Sequence, residues 1–345
     1  MTTKTLAWLF IGMTLALAGC KGAESGSTTG GGTASPETAG TTGGQSGKKL
    51  TLAVIPKGTT HEFWKSVHAG AQEAADELGI EIIWKGPLKE DDRDSQIKVV
   101  EDFTTQGVDG ILLAPLDDTA LKVPVENAKK SGIPVLIFDS DLKDTDVVSF
   151  VATDNEKGGS MAGDELARLL GGKGNVVMLR YQEGSASTAF REKGFLSAMA
   201  KNPGIKVVSE NRYAGATVES AQTEAENLLS GLKKPDGSLG VDGIYCPNES
   251  STFGMLRVLQ DNGWAGKVKF VGFDASPKLV EGLTAGQING LLLQNPRKMG
   301  YEGVKSMVDY LNKKAVAKRI DTGATLVTKE NMAQPEVARL LEVPK

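Results

Sequence analysis

Two kinds of hydrophobic pattern alternate along most of the chain. Residues 50–55 form a short apolar, β-branched run that predicts a strand buried on both faces. Residues 56–60 interrupt this run, and apolar side chains then recur at three- and four-residue spacing from Phe63 to Leu78. This spacing predicts an amphipathic helix that starts near Glu62 and ends before Gly79.

The same strand-then-helix order continues through the rest of the chain. Strands are predicted at residues 80–84, 110–114, 133–138 and 147–151, with helices at 93–106 and 119–131. The order then recurs, with strands at 175–179, 205–208, 243–246 and 268–273 and helices at 187–200, 217–229 and 251–262. Such alternation predicts parallel sheets with helices on both faces.

Two landmarks align the halves of this pattern. Residues 110–115 (GILLAP) match residues 243–247 (GIYCP), and the run ending in Phe-Asp-Ser at 138–140 matches the run ending in Phe-Asp-Ala at 273–275. We therefore predict an α/β fold of two similar, doubly wound parallel-sheet lobes. The carboxyl ends of their strands would face each other across a cleft, which is where ligands bind and around which such lobes close.

The first 48 residues have a different character. Lys4 precedes an apolar stretch at 6–18 that is too short to span a bilayer, so residues 1–19 are predicted to be a cleaved secretory signal. The ending Leu-Ala-Gly-Cys at 17–20 resembles a bacterial lipobox, which implies a diacylglycerol on Cys20; a chance cysteine in an ordinary signal peptide is the alternative.

Residues 20–48 would then be the lipidated cysteine and a tether. Gly, Ser and Thr dominate this stretch, which cannot bury enough apolar surface to fold. A lipid followed by a polar tether predicts a globular body held near a membrane. Cys246 is the other cysteine, and it is expected to be a small buried apolar residue.

Composition excludes several functions. The net charge of −4 and the lack of a basic cluster argue against nucleic acid as the main partner. The two histidines, His61 and His68, are too few for a metal site, and nucleophile elbows, Cys-His pairs and zinc-ligand clusters are absent from the sequence. Residues 154–159 form a turn into a helix without the glycine spacing of a phosphate loop. The sequence predicts neither an enzyme nor a cofactor.

Polar and aromatic residues follow several of the predicted strands. His61, Phe63 and Trp64 lie between the first strand and its helix, and two adjacent aromatic rings point roughly 100° apart on a helix. One ring could be a core residue, but both are not expected to face the same core. Asp139 and Asp274 each follow a strand ending in Phe and would be either helix N-caps or ligand groups, and their equivalent placement favours the ligand role.

Three further candidates each have a structural alternative. Asn248 follows a strand end and could instead cap the next helix. Arg191 lies near the start of a helix that follows Gly184 and Ser185, and it could instead be a solvated charge. Gln294 ends an apolar run and is either a turn residue or a hinge group facing the ligand.

Several of these motifs together resemble the ribose-binding-protein family, the periplasmic sugar-binding components of ABC importers. The resemblance rests on residues 60–64, 133–139, 152–155, 191–195 and 271–274, and it covers residues 49–345. It implies a periplasmic binding protein fold of type I with three crossings between the lobes, near Thr153, Gln294 and Gly323. The N-terminal lobe would comprise 49–153 and 295–323, and the C-terminal lobe 154–294 and 324–345.

The same resemblance implies roles for the site residues. Phe63 and Trp64 would lie on the faces of a sugar ring, Asp139 and Asp274 would accept hydrogen bonds from hydroxyls, Arg191 would donate, and Asn248 and Gln294 would do both. His61 replaces the Asn of ribose binders, Ser140 replaces their Arg, and Ala216 aligns with an aromatic that Tyr213 would have to supply. These departures leave a different pentose, a hexose or another polyol-like molecule as open as ribose.

The predicted function is a monomeric, lipid-anchored solute-binding protein on the periplasmic or cell-surface side of a bacterial membrane. It would capture a monosaccharide between the lobes and deliver it to an ABC permease. One alternative is a sensor that docks to a membrane receptor or histidine kinase, and another is a binder of a non-sugar solute such as a nucleoside. A repressor of the lactose type would need a helix-turn-helix where this chain has its signal sequence.

Overall fold

Two six-stranded sheets organise the part of the chain that the computed structural model describes, residues 49–342. The predictions for residues 1–48, including the signal sequence, Cys20 and the tether, lie outside it, as do residues 343–345. The first sheet contains β1 (Thr51–Ile55), β2 (Glu81–Trp84), β3 (Gly110–Leu113), β4 (Val135–Phe138), β5 (Phe150–Ala152) and β11 (Arg319–Asp321). The second contains β6 (Lys173–Arg180), β7 (Gly204–Tyr213), β8 (Gly243–Tyr245), β9 (Lys269–Phe273), β10 (Gly290–Gln294) and β12 (Ala324–Val327).

Helices alternate with these strands along the chain. Their bounds are α1 (Glu62–Leu78), α2 (Arg93–Gln106), α3 (Lys122–Lys130), α4 (Asn155–Leu169), α5 (Ala186–Ala200), α6 (Val218–Ser230), α7 (Glu249–Asp261), α8 (Pro277–Thr284), α9 (Pro296–Leu311) and α10 (Pro335–Leu341). None of the helices within residues 49–342 combines the length and the apolar character needed to cross a membrane.

The two sheets have the same strand order. The first runs β11-β5-β4-β3-β1-β2 and the second β12-β10-β9-β8-β6-β7, so β1 corresponds to β6 and β3 to β8. All pairs are parallel except β10 with β12. This arrangement confirms the predicted fold class, two similar lobes with doubly wound sheets.

The chain passes from one sheet to the other three times. It leaves the first sheet after β5, returns after β10 to form α9, and crosses again between β11 and β12. Thr153 and Gly323 lie in the first and third of these segments, and Gln294, the last residue of β10, directly precedes the second. We refer below to the first sheet with its helices as the N-terminal lobe and to the second as the C-terminal lobe.

Apolar side chains are buried on both faces of each sheet, which explains why the strands read as continuous hydrophobic runs. In the N-terminal lobe, Leu52 and Val54 contribute to the core on one face and Ala53 and Ile55 to the core on the other. In the C-terminal lobe, alternate residues of β6 divide in the same way between two cores.

Glycines bring one pair of helices in each lobe into close contact. A Cβ at Gly70 of α1 would overlap the backbone of α9, and one at Gly300 of α9 would overlap the backbone of α1. Gly194 of α5 and Gly159 of α4 are related in the same way. The internal duplication therefore extends to the packing of equivalent helices.

Candidate ligand-binding site

A small polar cavity lies between the lobes, at the carboxyl ends of strands from both sheets. Eight of the nine ligand-binding candidates from the sequence line it, namely His61, Phe63, Trp64, Asp139, Arg191, Asn248, Asp274 and Gln294. The ninth, Ser140, is fully buried and accepts a hydrogen bond from the backbone N–H of Ser187, 3.1 Å away. The structure thus brings together side chains that lie up to 233 positions apart in the chain.

Six residues of the cavity wall were not predicted from the sequence. These are Lys57, Glu90, Tyr181, Ser187, Thr188 and Glu249. Lys57 and Tyr181 follow the equivalent strands β1 and β6, so strict use of the strand-end rule would have found both. Of the two positions considered for a second-lobe aromatic, neither Tyr213 nor Ala216 is in this wall, and the Tyr213 ring lies 4.5 Å from the Arg180 guanidinium carbon.

Asp139 and Asp274 have the same unusual backbone. Their φ angles are 59° and 68°, in the left-handed region that non-glycine residues seldom adopt. Neither caps a helix, since Ser276 is the N-cap of α8. Strained backbone at equivalent strand ends is typical of functional positions.

Lys57 links Asp139 to the opposite lobe. Its ammonium group, almost fully buried, lies 3.0 Å from Asp139 Oδ2 and donates to the hydroxyls of Ser187 at 2.9 Å and Ser185 at 3.3 Å. A buried cation with three oxygen partners satisfies its three donors.

Glu90 is the centre of a buried hydrogen-bond network. Its carboxylate accepts from Trp64 Nε1 at 2.7 Å, from the Tyr181 hydroxyl at 2.8 Å and from His61 Nδ1. Burial alone would raise the pKa of Glu90, but the neighbouring His61 and Lys57 charges outweigh it and lower the pKa to about 2. Burial alone would lower the pKa of His61, and the Glu90 carboxylate raises it to about 9. The pair is therefore ionised at neutral pH.

The two aromatic residues serve the core and the cavity together. Phe63 and Trp64 pack edge to face, with ring centroids 4.8 Å apart, and Trp64 contacts Phe138 in the same geometry. Both belong to the core of the N-terminal lobe and both line the cavity. The expectation that the two rings would not face the same core is therefore wrong, and both rings also line the cavity.

Arg191 is a buried residue rather than a solvated charge. Its Nε donates to Asn155 Oδ1 at 2.8 Å, its Nη1 donates to the Pro247 carbonyl at 3.0 Å, and its guanidinium carbon lies 4.0 Å from the centroid of the Phe273 ring. Its Nη2 has no hydrogen-bond partner among the described residues. One donor is therefore held in place and left unpaired.

Gln294 leaves an acceptor unpaired. Its Nε2 donates to Asp274 Oδ1 at 2.7 Å, while its Oε1 is buried with no partner among residues 49–342. Burial raises the pKa of Asp274, and the positive charge of Arg191 opposes that rise. Asn248 combines both roles considered for it, because it caps α7 by accepting from the Ser251 N–H at 3.2 Å and also lines the cavity.

The lobes touch across the cleft, so the structure describes a closed form. The Glu249 carboxylate of the C-terminal lobe accepts from the backbone N–H of Phe63 at 3.2 Å and that of Glu62 at 3.4 Å. Burial raises the pKa of Glu249 to about 7, against the opposing positive charge of His61. The Tyr181 hydroxyl reaches Glu90 across the same cleft.

The chemistry of this site is recognition. Aromatic faces, carboxylates, two amides and a guanidinium line the cavity, and no cluster of three or more potential metal ligands occurs within the described residues. Such a set suits an uncharged molecule with many hydroxyl groups. Fold and site together define a two-lobed binding protein that holds a small solute between its lobes.

The chain belongs to the periplasmic binding protein family. A family model described as a periplasmic binding protein domain matches residues 52–315. The chain is similar to the D-allose-binding periplasmic protein of Escherichia coli, with 31% identity over 74% of this chain and 83% of the relative. It is also similar to the ribose import binding protein of the same organism, with 29% identity over 82% of this chain and 92% of the relative.

The chain is also similar to solute-binding proteins of known structure. A carbohydrate transporter solute-binding protein from Agrobacterium radiobacter, in complex with D-arabinose, superposes with a TM-score of 0.81 and 32% identity, covering 86% of this chain and all (100%) of that one. An ABC transporter solute-binding protein from Agrobacterium vitis, with bound D-fucose, superposes with a TM-score of 0.80 and 31% identity. The match covers 85% of this chain and 100% of that one. The resemblance to ribose-binding proteins is confirmed, and the chain is a binding protein and not an enzyme.

Proposed function

We propose that this chain captures a monosaccharide in the cleft and delivers it to an ABC permease from the periplasmic side of a membrane. In this proposal a diacylglycerol on Cys20 holds the protein at the membrane, and residues 21–48 are the tether. The lipobox-like ending at residue 20 and the Gly/Ser/Thr-rich stretch after it support the anchor.

The observation that carries the proposal is the pair of unsatisfied polar atoms in the cavity wall. Arg191 Nη2 is a buried donor and Gln294 Oε1 a buried acceptor, and neither has a partner among the described residues. A buried polar atom without a partner costs about 1 to 3 kcal/mol. A sugar hydroxyl can accept from the first and donate to the second, so bound sugar would remove both costs.

The remaining wall fits the other features of a sugar. A sugar ring has apolar C–H faces, and the Phe63 and Trp64 rings offer aromatic surfaces to them. Asp139 and Asp274 would accept from hydroxyls, with Asn248 as a further donor and acceptor. Because each hydroxyl needs a fixed partner, such a set would discriminate between sugars that differ at one carbon.

The names and bound ligands of the related proteins support a monosaccharide or a polyol of similar size. Relatives are named for ribose, D-allose and xylitol, and solved structures hold D-arabinose, D-fucose, D-tagatopyranose and myo-inositol. We propose a pentose or hexose for this chain. Since Ser140 stands where the ribose binders carry Arg, ribose is not favoured over its epimers.

A thermal-shift screen against pentoses, hexoses, polyols and nucleosides tests the proposal. A hundredfold excess of ligand over Kd stabilises the folded protein by about 3 kcal/mol, which for a chain of this size raises the melting temperature by about 5 °C. We expect such a shift with one monosaccharide. A shift with nucleosides alone, or with none of these compounds, would contradict the sugar assignment.

A matched pair of variants ties the shift to the cleft. Gln294→Ala removes the unpaired acceptor and should raise Kd about tenfold or more. Gln260→Ala, which breaks the surface hydrogen bond between Gln260 and Gln287, should leave Kd unchanged. Equal Kd values for the two variants would place the sugar elsewhere.

A further inference from the structure

Two equivalent helices begin at the cleft without a side-chain cap of their own. α1 follows β1 and α5 follows β6, the corresponding strands of the two lobes. Their N-cap residues, His61 and Ser185, make no side-chain cap hydrogen bond. Six other helices are capped by a local side chain: Asp92, Asp154, Thr217, Asn248, Ser276 and Asn295.

α3 and α10 also lack a side-chain cap, but α1 and α5 each receive one from the opposite lobe. Glu249 of the C-terminal lobe accepts from the Phe63 N–H at 3.2 Å and the Glu62 N–H at 3.4 Å, in the first turn of α1. Ser140 of the N-terminal lobe accepts from the Ser187 N–H at 3.1 Å, in the first turn of α5. Each lobe therefore caps one helix of the other lobe.

Each cap also lies next to one of the two aspartates with left-handed backbone. Ser140 directly follows Asp139, and the Glu249 N–H donates to Asp274 Oδ2 at 3.1 Å. Both caps are buried, with exposed fractions of 0% for Ser140 and 9% for Glu249. Groups that would bind the sugar and groups that join the lobes are thus direct neighbours.

We propose that Ser140 and Glu249 are closure caps, positioning residues that stabilise the closed form by capping the helix that follows β6 or β1 in the opposite lobe. This inference rests on the proposed function for its link to sugar release. It assigns Ser140 a role through the opposite lobe instead of the direct sugar contact expected from the sequence.

Both caps are made only in the closed form, so their removal affects the stability of that form. The first N–H groups of a helix have no partner within the helix, and a side-chain oxygen or a carboxylate there is stabilising. Opening the lobes returns these N–H groups to water, so removing a cap disfavours the closed form and leaves each lobe folded. Loss of a typical cap changes an equilibrium about fivefold, and we expect a change of that size in the closed-to-open ratio.

The test compares Ser140→Ala and Glu249→Ala with Thr217→Ala, which removes a cap inside the C-terminal lobe. In sugar-free protein, NMR exchange rates of the amides of Phe63 and Ser187 report how often the lobes open. Glu249→Ala should speed exchange at Ser187 about fivefold, although the Ser140 cap of that amide is intact, and Ser140→Ala should do the same at Phe63. Thr217→Ala should lower the melting temperature alone.

Binding kinetics give the second readout. With the monosaccharide found in the screen, each closure-cap variant should raise koff about fivefold, because the sugar leaves through the open form. Exchange that changes only at the amide that lost its own cap would overturn the proposal. If no sugar binds, the proposed function fails, and the exchange rates in sugar-free protein still decide the role of the caps.

Discussion

At the scale of single residues, two buried tyrosines of the C-terminal lobe differ in one hydrogen bond. The Tyr245 ring stacks on Phe195 with centroids 4.2 Å apart, and its hydroxyl has no partner among the described residues. The Tyr181 hydroxyl donates to Glu90 at 2.8 Å. Both phenols are almost completely buried. Burial raises the pKa of both well above the ordinary value, so both are neutral.

Replacing each tyrosine by phenylalanine should therefore have opposite effects on stability. Tyr245→Phe removes an unpaired hydroxyl, and we expect the free energy of unfolding to stay the same or rise by about 1 kcal/mol. Tyr181→Phe removes a hydrogen-bond donor from the Glu90 carboxylate and should lower the free energy of unfolding by about 1 to 3 kcal/mol. Urea unfolding measures both, and an equal loss in the two variants would contradict the assigned hydrogen bonds.

His61 should make stability depend on pH in a defined window. Its pKa is raised to about 9 by Glu90 in the folded chain, against about 6.5 when unfolded. A raised histidine pKa stabilises the fold fully below pH 6.5, and this contribution is lost as pH rises through 9. Between pH 6 and 9.5, wild type should lose about 1 to 3 kcal/mol more than His61→Gln.

His68→Gln is the control for that measurement. Burial lowers the pKa of His68, which stacks on Trp84, so its contribution changes below pH 6.5 and not in the alkaline window. Urea unfolding of the three proteins at both pH values separates the two histidines. If His61→Gln lost as much unfolding free energy between pH 6 and 9.5 as wild type does, the His61–Glu90 pair would not be the cause of that loss.

At the scale of elements, the glycines between paired helices explain what the sequence pattern missed. α4 contains Gly158, Gly159 and Gly163, which are poor helix formers, and the hydrophobic pattern predicted only a turn leading into it. The close approach of α5 requires Gly159, because a Cβ there would overlap the Arg191 backbone. Packing between helices, which one segment of sequence does not encode, overrides local propensity here.

Two glycines of α9 allow a direct test of this packing. Gly300→Ala would push a Cβ into the Val67 carbonyl of α1 and should lower the free energy of unfolding by about 2 kcal/mol or more. Gly303→Ala would meet two leucine methyls, Leu112 Cδ2 at 3.1 Å and Leu136 Cδ2 at 3.9 Å, and the gain in helix propensity of about 1 kcal/mol should offset these contacts. Equal losses in urea unfolding would contradict the account of the helix pair.

The edge strand β7 was also predicted incompletely. The pattern placed a strand at 205–208, and the structure has β7 from Gly204 to Tyr213. β7 pairs with β6 alone, at the edge of the sheet, and much of it is exposed, so its second half is polar and gives no hydrophobic signal. Central strands such as β3 and β8 were predicted within one residue of their ends, because both of their faces are buried.

At the scale of the whole molecule, the two-lobed fold and the position of the site were predicted mainly from the internal repeat. The matched Phe-Asp endings place Asp139 and Asp274 at equivalent strand ends, and the two sheets share one strand order. Lys57 and Glu90, which lie in loops, and Glu249, the first residue of α7, were missed because a single charged residue carries no periodic signal. Their partners, such as Ser187 for Lys57 and Phe63 for Glu249, lie in the other lobe. Contacts of this kind depend on how the lobes close.

The most direct test of the account is a crystal structure of the protein with the monosaccharide that gives the largest thermal shift. We expect the sugar between the lobes, with one hydroxyl oxygen within about 3.2 Å of Arg191 Nη2 and another within the same distance of Gln294 Oε1. Phe63 or Trp64 should lie against a face of its ring. A sugar bound outside the cleft, or inside it with both atoms still unpaired, would contradict the central claim.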